Sequence, residues 1–157
     1  MSKSPVPMFL PAPGEGKRGE DGHMGYLLRQ AAHAYRQRAE TALADLDLTP
    51  PQFTVLTMLA AYPGLSGADL ARLALLTPQT IAVIVGNLDR AGLITREPHP
   101  VHGRILAISL TAPGRAVLAK ARSRMQTLDD SLLAGLDADH ETVVRRWLVT
   151  VALPTET

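Results

Sequence analysis

The chain has 157 residues, a length that fits one domain with a tail. Sixteen Lys and Arg stand against fifteen Asp and Glu, for a formal charge of +1, which argues against a polybasic tail that binds by bulk charge but leaves room for a basic face on a balanced molecule. Two Phe, one Trp and three Tyr are too few for a base-stacking platform, and the absence of Cys excludes disulfides, thiolate zinc sites and redox-sensing thiols and fits a reducing compartment.

Residues 1–22 are dominated by Pro, Gly and balanced charge (Pro5, Pro7, Pro11, Pro13, Gly14, Gly16, Gly19, Gly22), a composition that does not bury enough surface to offset its ordering entropy. They are expected to form a disordered arm. Gly14-Glu15-Gly16-Lys17 has the look of a phosphate loop, but no strand precedes it and no helix opens on it. No apolar run approaches the roughly 18 residues of a membrane span, and the N-terminus lacks a charged start followed by an apolar block, so a cytoplasmic chain with no membrane partner is expected.

From 23 to 46, Leu28, Ala32, Tyr35, Ala39, Ala42 and Leu46 recur at helical spacing. Thr49-Pro50-Pro51-Gln52 opens a second helix with a capping hydroxyl, Pro at the first helical position and Gln three after the cap; Tyr62-Pro63-Gly64 ends it. Ser66-Gly67-Ala68-Asp69 starts a short helix that stops near Leu73 or Ala74, and Thr77-Pro78 starts another whose apolar face is Ile81, Ile84, Val85 and Leu88, closed by Ala91-Gly92. A short helix, a tight connection and a second helix form the helix-turn-helix pattern. Leu93–Glu97 and Arg104–Leu110 read as two strands around a Pro- and Gly-rich tip, a hairpin wing. A long helix is expected from Thr111 to about Ala134, and a last one from Asp137 to about Ala152 with Val143, Val144, Trp147, Leu148 and Val151. The fold class is therefore mainly α with a small β-hairpin, a winged helix-turn-helix over about 48–110 flanked by helices over about 23–46 and 111–153.

Charge is unevenly spread. Residues 111–126 hold Arg115, Lys120, Arg122 and Arg124 and no acid, whereas 127–157 hold six acids against Arg145 and Arg146. Residues 64–110 carry Arg72, Arg90, Arg96 and Arg104 against Asp69, Asp89 and Glu97. The helix opening at Thr77 would turn Gln79, Thr80, Ala82, Val83, Gly86 and Asn87 outward. Gln suits adenine, and the Thr and Val methyls suit the thymine methyl. Thr77 could hold a phosphate with its hydroxyl and the free N–H groups of the helix start; the plainer reading is that Thr77 and Thr80 only cap the helix. Arg104, beside Gly103 after the wing tip, is placed to enter a minor groove, or else is a surface Arg with no partner. His99 and His102 in the tip would gain charge as pH falls and strengthen phosphate contact. As metal ligands they lack a third partner nearby, so no metal and no cofactor is expected. No catalytic set is visible: the chain has no Gly-x-Ser-x-Gly or His-Glu-x-x-His, and its five His are scattered without companion carboxylates.

Taken together, the element order, Leu-Thr-Pro-Pro-Gln-Phe-Thr-Val-Leu (48–56), Leu-Ser-Gly-Ala-Asp-Leu-Ala-Arg-Leu (65–73), Leu-Thr-Pro-Gln-Thr-Ile (76–81), Leu-Asp-Arg-Ala-Gly-Leu-Ile (88–94), Gly-Arg (103–104) and Ser-Leu-Thr-Ala-Pro-Gly (109–114) resemble the MarR family of bacterial transcription regulators over about residues 24–153. The resemblance implies a homodimer whose first and last helices intertwine for dimerisation. Its two winged lobes would read double-stranded DNA with a palindromic operator, their recognition helices about one helical turn, roughly 34 Å, apart. It also implies repression relieved by a small phenolic or anionic effector bound between stem and lobe. By that resemblance the DNA-contacting set is Thr77, Gln79, Thr80, Val83, Asn87 and Arg104, and the ligand pocket draws on His33, Arg36, Met58, Tyr62 and Arg115. Two departures stand out. Members often carry a basic residue where Val83 stands, and acidic residues in the wing ahead of the Arg, where this chain has Pro98-His99-Pro100-Val101-His102. These departures motivate an alternative, a winged-helix protein-interaction module that does not read DNA.

Overall fold

The computed structural model describes residues 10–154, and those residues divide into two compact units at Arg38/Ala39. In chain order they form a 3-10 turn (Gly16–Arg18), α1 (Met24–Leu43), a second 3-10 turn (Ala44–Leu46), α2 (Pro50–Ala61), α3 (Gly67–Ala74), α4 (Pro78–Arg90), β1 (Ile94–Pro98), β2 (Leu106–Leu110), α5 (Ala112–Leu133) and α6 (Ala138–Ala152).

The first unit corrects one expectation. Residues 10–22, read as part of a disordered arm, are folded against the start of α1. The Arg18 guanidinium donates to the Pro11 carbonyl at 2.9 Å, and Gln30 Nε2 donates to the Arg18 carbonyl at 3.0 Å. Arg18 is half-buried as a result. Composition hid this because one long side chain supplies the anchors that the apolar residues lack. Residues 1–9 of the expected arm lie outside the described residues.

In the second unit the helix starts follow the capping signals. Thr49 and Gln52 form a reciprocal capping box, as do Ser66 and Asp69, with Gln52 Oε1 accepting from the Thr49 amide at 2.9 Å. Thr77, Thr111 and Asp137 cap α4, α5 and α6. Leu75 ends α3 in the left-handed region (φ 56°), which forms the tight turn into α4. The core gathers Leu43 from α1, Leu56 and Leu59 from α2, Leu70 from α3, Ile81 and Leu88 from α4, Ile94 and Ile108 from the hairpin, and Leu118 and Met125 from α5. Burial of each such side chain is worth about 1.5–3 kcal/mol.

The strands pair antiparallel with Ile94 opposite Leu110 and Pro98 opposite Leu106. The second strand starts two residues later than expected, so Arg104 and Ile105 belong to the tip. Leu65 adds a bridge to Ile108, with the Ile108 amide donating to the Leu65 carbonyl at 3.0 Å. The hairpin meets α5 at a tight joint. The Thr111 hydroxyl donates to the Gly92 carbonyl at 2.7 Å and its amide to the Leu93 carbonyl at 3.1 Å. Gly114 lies so close that a Cβ there would sit 2.0 Å from the Leu93 carbonyl oxygen. α6 is different in kind, since none of its residues is buried.

Candidate nucleic-acid interface

The α4 helix is fixed from below by Ile81, Ile84, Val85 and Leu88, all buried. Gln79, Thr80, Ala82, Val83 and Asn87 are exposed on the opposite side, whereas Gly86, expected among them, is half-buried. Val83 is 63% exposed, the large apolar side chain on a face otherwise made of Gln79, Thr80, Ala82 and Asn87. The Thr77 hydroxyl accepts from the Thr80 amide at 3.2 Å and lies 2.9 Å from the Thr80 hydroxyl, so the capping role of this pair is realised in the fold. Asn87 Oδ1 accepts from Arg90 Nη2.

The arginines of this region are unequal. Arg72 pairs with Asp69 at 2.6 Å; hydrogen bonding from the Ser66 hydroxyl, then from Arg72, holds the Asp69 carboxyl below its ordinary range. Arg96 binds Asp89 through both Nε, at 3.0 Å, and Nη2. Arg90 is engaged by Asn87. Arg104 is exposed in the wing tip and, among the described residues, has no hydrogen-bond or ion-pair partner. The sequence shows four arginines here, and the structure leaves one of them, Arg104 in the wing tip, unengaged among the described residues.

A cleft of about 430 Å³ opens in the second unit between the end of α2, β2 and the start of α5. Leu59, Pro63 and Leu118 line its apolar part; Ser109, Arg115 and Arg122 supply its polar edge. Neither arginine has a partner among the described residues. Of the five residues expected in a ligand pocket, Arg115 lines this cleft. Met58 is half-buried against the core, and Tyr62 is exposed at the C-cap of α2. His33 and Arg36 lie in the first unit, where Arg36 Nη2 is 3.3 Å from His33 Nδ1. Sequence reasoning missed Arg122. The available signal was its spacing of two helical turns from Arg115, which sets both on one face of α5. A second groove, about 470 Å³, lies between α3, α4 and the hairpin; it is mostly apolar and its one cation, Arg96, is already paired with Asp89. Among the described residues no group of three or more His, Asp or Glu is placed to hold a metal. Among the described residues no single helix is long and apolar enough to cross a membrane.

A buried helix-turn-helix with a β-hairpin wing, an exposed second helix and an unpartnered wing Arg define a winged-helix DNA-binding regulator. The MarR-family profile matches residues 46–105. The chain is 38% identical over 129 residues to the HTH-type transcriptional repressor Rv2887 of Mycobacterium tuberculosis, covering 82% of this chain and 93% of that one. Among solved structures, the repressor CouR bound to a 23-mer DNA duplex superposes with a TM-score of 0.79 at 29% identity, covering 85% and 94% of the two chains. Rv2887 in complex with salicylic acid gives 0.67 at 37% identity, covering 85% and 98%. The chain belongs to the MarR family of transcription regulators. As a member it is a DNA-binding transcription regulator, which does not favour the interaction-module alternative.

Proposed function

We propose that the protein is a cytoplasmic homodimer that holds an inverted-repeat operator with α4 and the wing, and releases it when a small aromatic acid enters the cleft between α2, β2 and α5. The cleft carries the reading: two unpartnered guanidiniums, Arg115 and Arg122, edge an apolar floor. That pairing suits a molecule with a flat apolar body and one carboxylate. The relative solved with salicylic acid supports the ligand class. In this reading Gln79, Val83 and Asn87 face base edges, Thr77 and Thr80 set the helix start against a phosphate, and Arg104 reaches the adjacent groove. The dimer would cover the apolar face of α6, where Trp147 and Leu148 stand 39% and 45% exposed.

The test has two arms. Selection from a random duplex pool should return an inverted repeat, and salicylate should lower affinity for that duplex. Arg122→Ala should weaken salicylate binding by about 1.5–3 kcal/mol, the cost of removing a hydrogen bond to a charged group, and leave DNA affinity without salicylate unchanged. Salicylate that binds wild type and Arg122→Ala equally in calorimetry would refute this cleft as the effector site.

A further inference from the structure

The wing tip, Pro98 to Gly103, contains no Asp, Asn or Ser, the side chains that ordinarily accept backbone N–H groups in a turn. His99 fills that role. Its Nδ1 accepts from the backbone amides of Val101 and His102, both at 3.2 Å. Its own amide donates to the Ile105 carbonyl at 2.7 Å, and the Ile105 amide donates to the His102 carbonyl at 2.8 Å. The His99 ring stacks on that of His102, with centroids 5.5 Å apart and 24° between planes. His99 is half-buried, while residues 100–104 are exposed. Arg104 leaves the chain between the Ile105 and His102 ends of this network.

We propose that His99 is a positioning residue for DNA binding: its unprotonated Nδ1 closes the turn that presents Arg104, and a proton on Nδ1 opens it. The DNA consequence rests on the reading above in which Arg104 reaches a groove. An imidazole nitrogen accepts only through its lone pair, and in the imidazolium both nitrogens are donors. Protonation therefore sets an N–H against two N–H groups and places a cation against the second imidazole. His102 is the titratable group in contact. Glu97 on β1 and Arg104 in the tip are the nearest charges along the hairpin, and Arg96 is held by Asp89. Among the described residues neither imidazole has a carboxylate within ion-pair distance, so nothing in the tip offsets the added charge. The gain from one more cation near phosphates, on a tip whose residues 100–104 are exposed, is screened by salt. Loss of the turn dominates, and affinity falls as pH is lowered, the reverse of the rise expected from two histidines that simply gain charge.

Asn places its Oδ1 where His places Nδ1 and does not titrate; Gln sets its acceptor farther along the side chain. Affinity of the full chain for the duplex recovered from the random pool is measured at constant ionic strength from pH 8 to pH 5.5, the range in which His ordinarily changes charge. Wild type should lose about tenfold, the scale of two modest hydrogen bonds. His99→Asn should keep the wild-type affinity at pH 8 and show no fall, whereas His99→Gln should bind weakly at both ends. A pH response in His99→Asn equal to that of wild type, or a wild-type profile for His99→Gln, overturns the proposal. In the free protein, the Val101 and His102 amide resonances should move together over the same interval in wild type and stay fixed in His99→Asn. Amides that do not move overturn the turn mechanism itself. An Arg104→Ala protein that binds DNA as wild type does overturns instead the groove-contact reading on which the DNA consequence rests.

Discussion

The α4 and α6 helices carry nearly the same pattern and meet different fates. In α4, Ile81, Ile84, Val85 and Leu88 recur at three and four and are all buried. In α6, Val144, Trp147, Leu148 and Val151 recur in the same way, yet none of the helix is buried, and Val143 and Val149 add two more exposed apolar side chains. A periodic apolar stripe states that a helix has a face to cover; it does not state what covers it. For α4 the answer lies within the chain, in α3, β1 and the core. For α6 the proposed answer is a second copy, in line with the rule that a large contiguous apolar patch marks an interaction site.

Substitutions can break or sharpen this contrast. The largest effect should come from the buried helix. Leu88→Ala, at a position 1% exposed, should lower unfolding stability by about 2–5 kcal/mol in urea titrations; a loss under about 1 kcal/mol would mean that α4 is not anchored as described. Trp147→Asp should cost nothing comparable in helix content but weaken self-association by about 2–4 kcal/mol in sedimentation equilibrium. A chain that assembles as before would end the contrast. On the outer face of the lobe, Arg104→Ala should weaken binding to all duplexes by about 1–3 kcal/mol and flatten the salt dependence, whereas Gln79→Ala should alter sequence preference. Equal losses for Gln79→Ala on selected and random DNA would count against base reading by α4.

The smallest effect is electrostatic. Asp69 lies below its ordinary value of 3.8 because the Ser66 hydroxyl and Arg72 hydrogen-bond its ionised form. A carboxyl depressed in the folded state stabilises the fold above its unfolded titration range, and that contribution disappears as pH falls through the lower folded value. Stability should therefore decline below about pH 4, a decline shared with Asp45, held down mainly by Arg124, and Asp137, held down mainly by the His140 amide. Asp69→Asn should remove part of that acid dependence in thermal melts. An unchanged acid profile would show that the bonds to Ser66 and Arg72 do not favour the charged form.

The elements from α2 onward were legible because each of these helices starts at a local capping residue. Thr49 with Gln52 and Ser66 with Asp69 announce their capping boxes within four residues, and the buried stripe of α4 follows from spacing alone. What was not legible depends on pairings distant in sequence. That Arg96 is spent on Asp89, leaving Arg104 as the one unengaged arginine among residues 64–110, requires the hairpin to lie against α4. Arg122 joins Arg115 in one cleft only once α2 and β2 are placed beside α5. The Gln30 anchor for Arg18, twelve residues away, was invisible in a segment whose composition reads as disorder. His99 shows a third case. Its residue type was noted, but its role depends on which ring nitrogen faces two backbone amides.

The contact between Gly114 and Leu93 gives the lobe a joint without play. With 2.0 Å between a would-be Cβ and the Leu93 carbonyl oxygen, the first turn of α5 packs directly on the backbone that leads into β1. The proposed effector cleft opens beside this joint, between Ser109 and Arg115. A molecule seated there would push on a stiff linkage, and the displacement would pass into the hairpin instead of being absorbed by a slack loop. What fixes this joint is thus a residue with no side chain, and its contribution is the clearance it leaves.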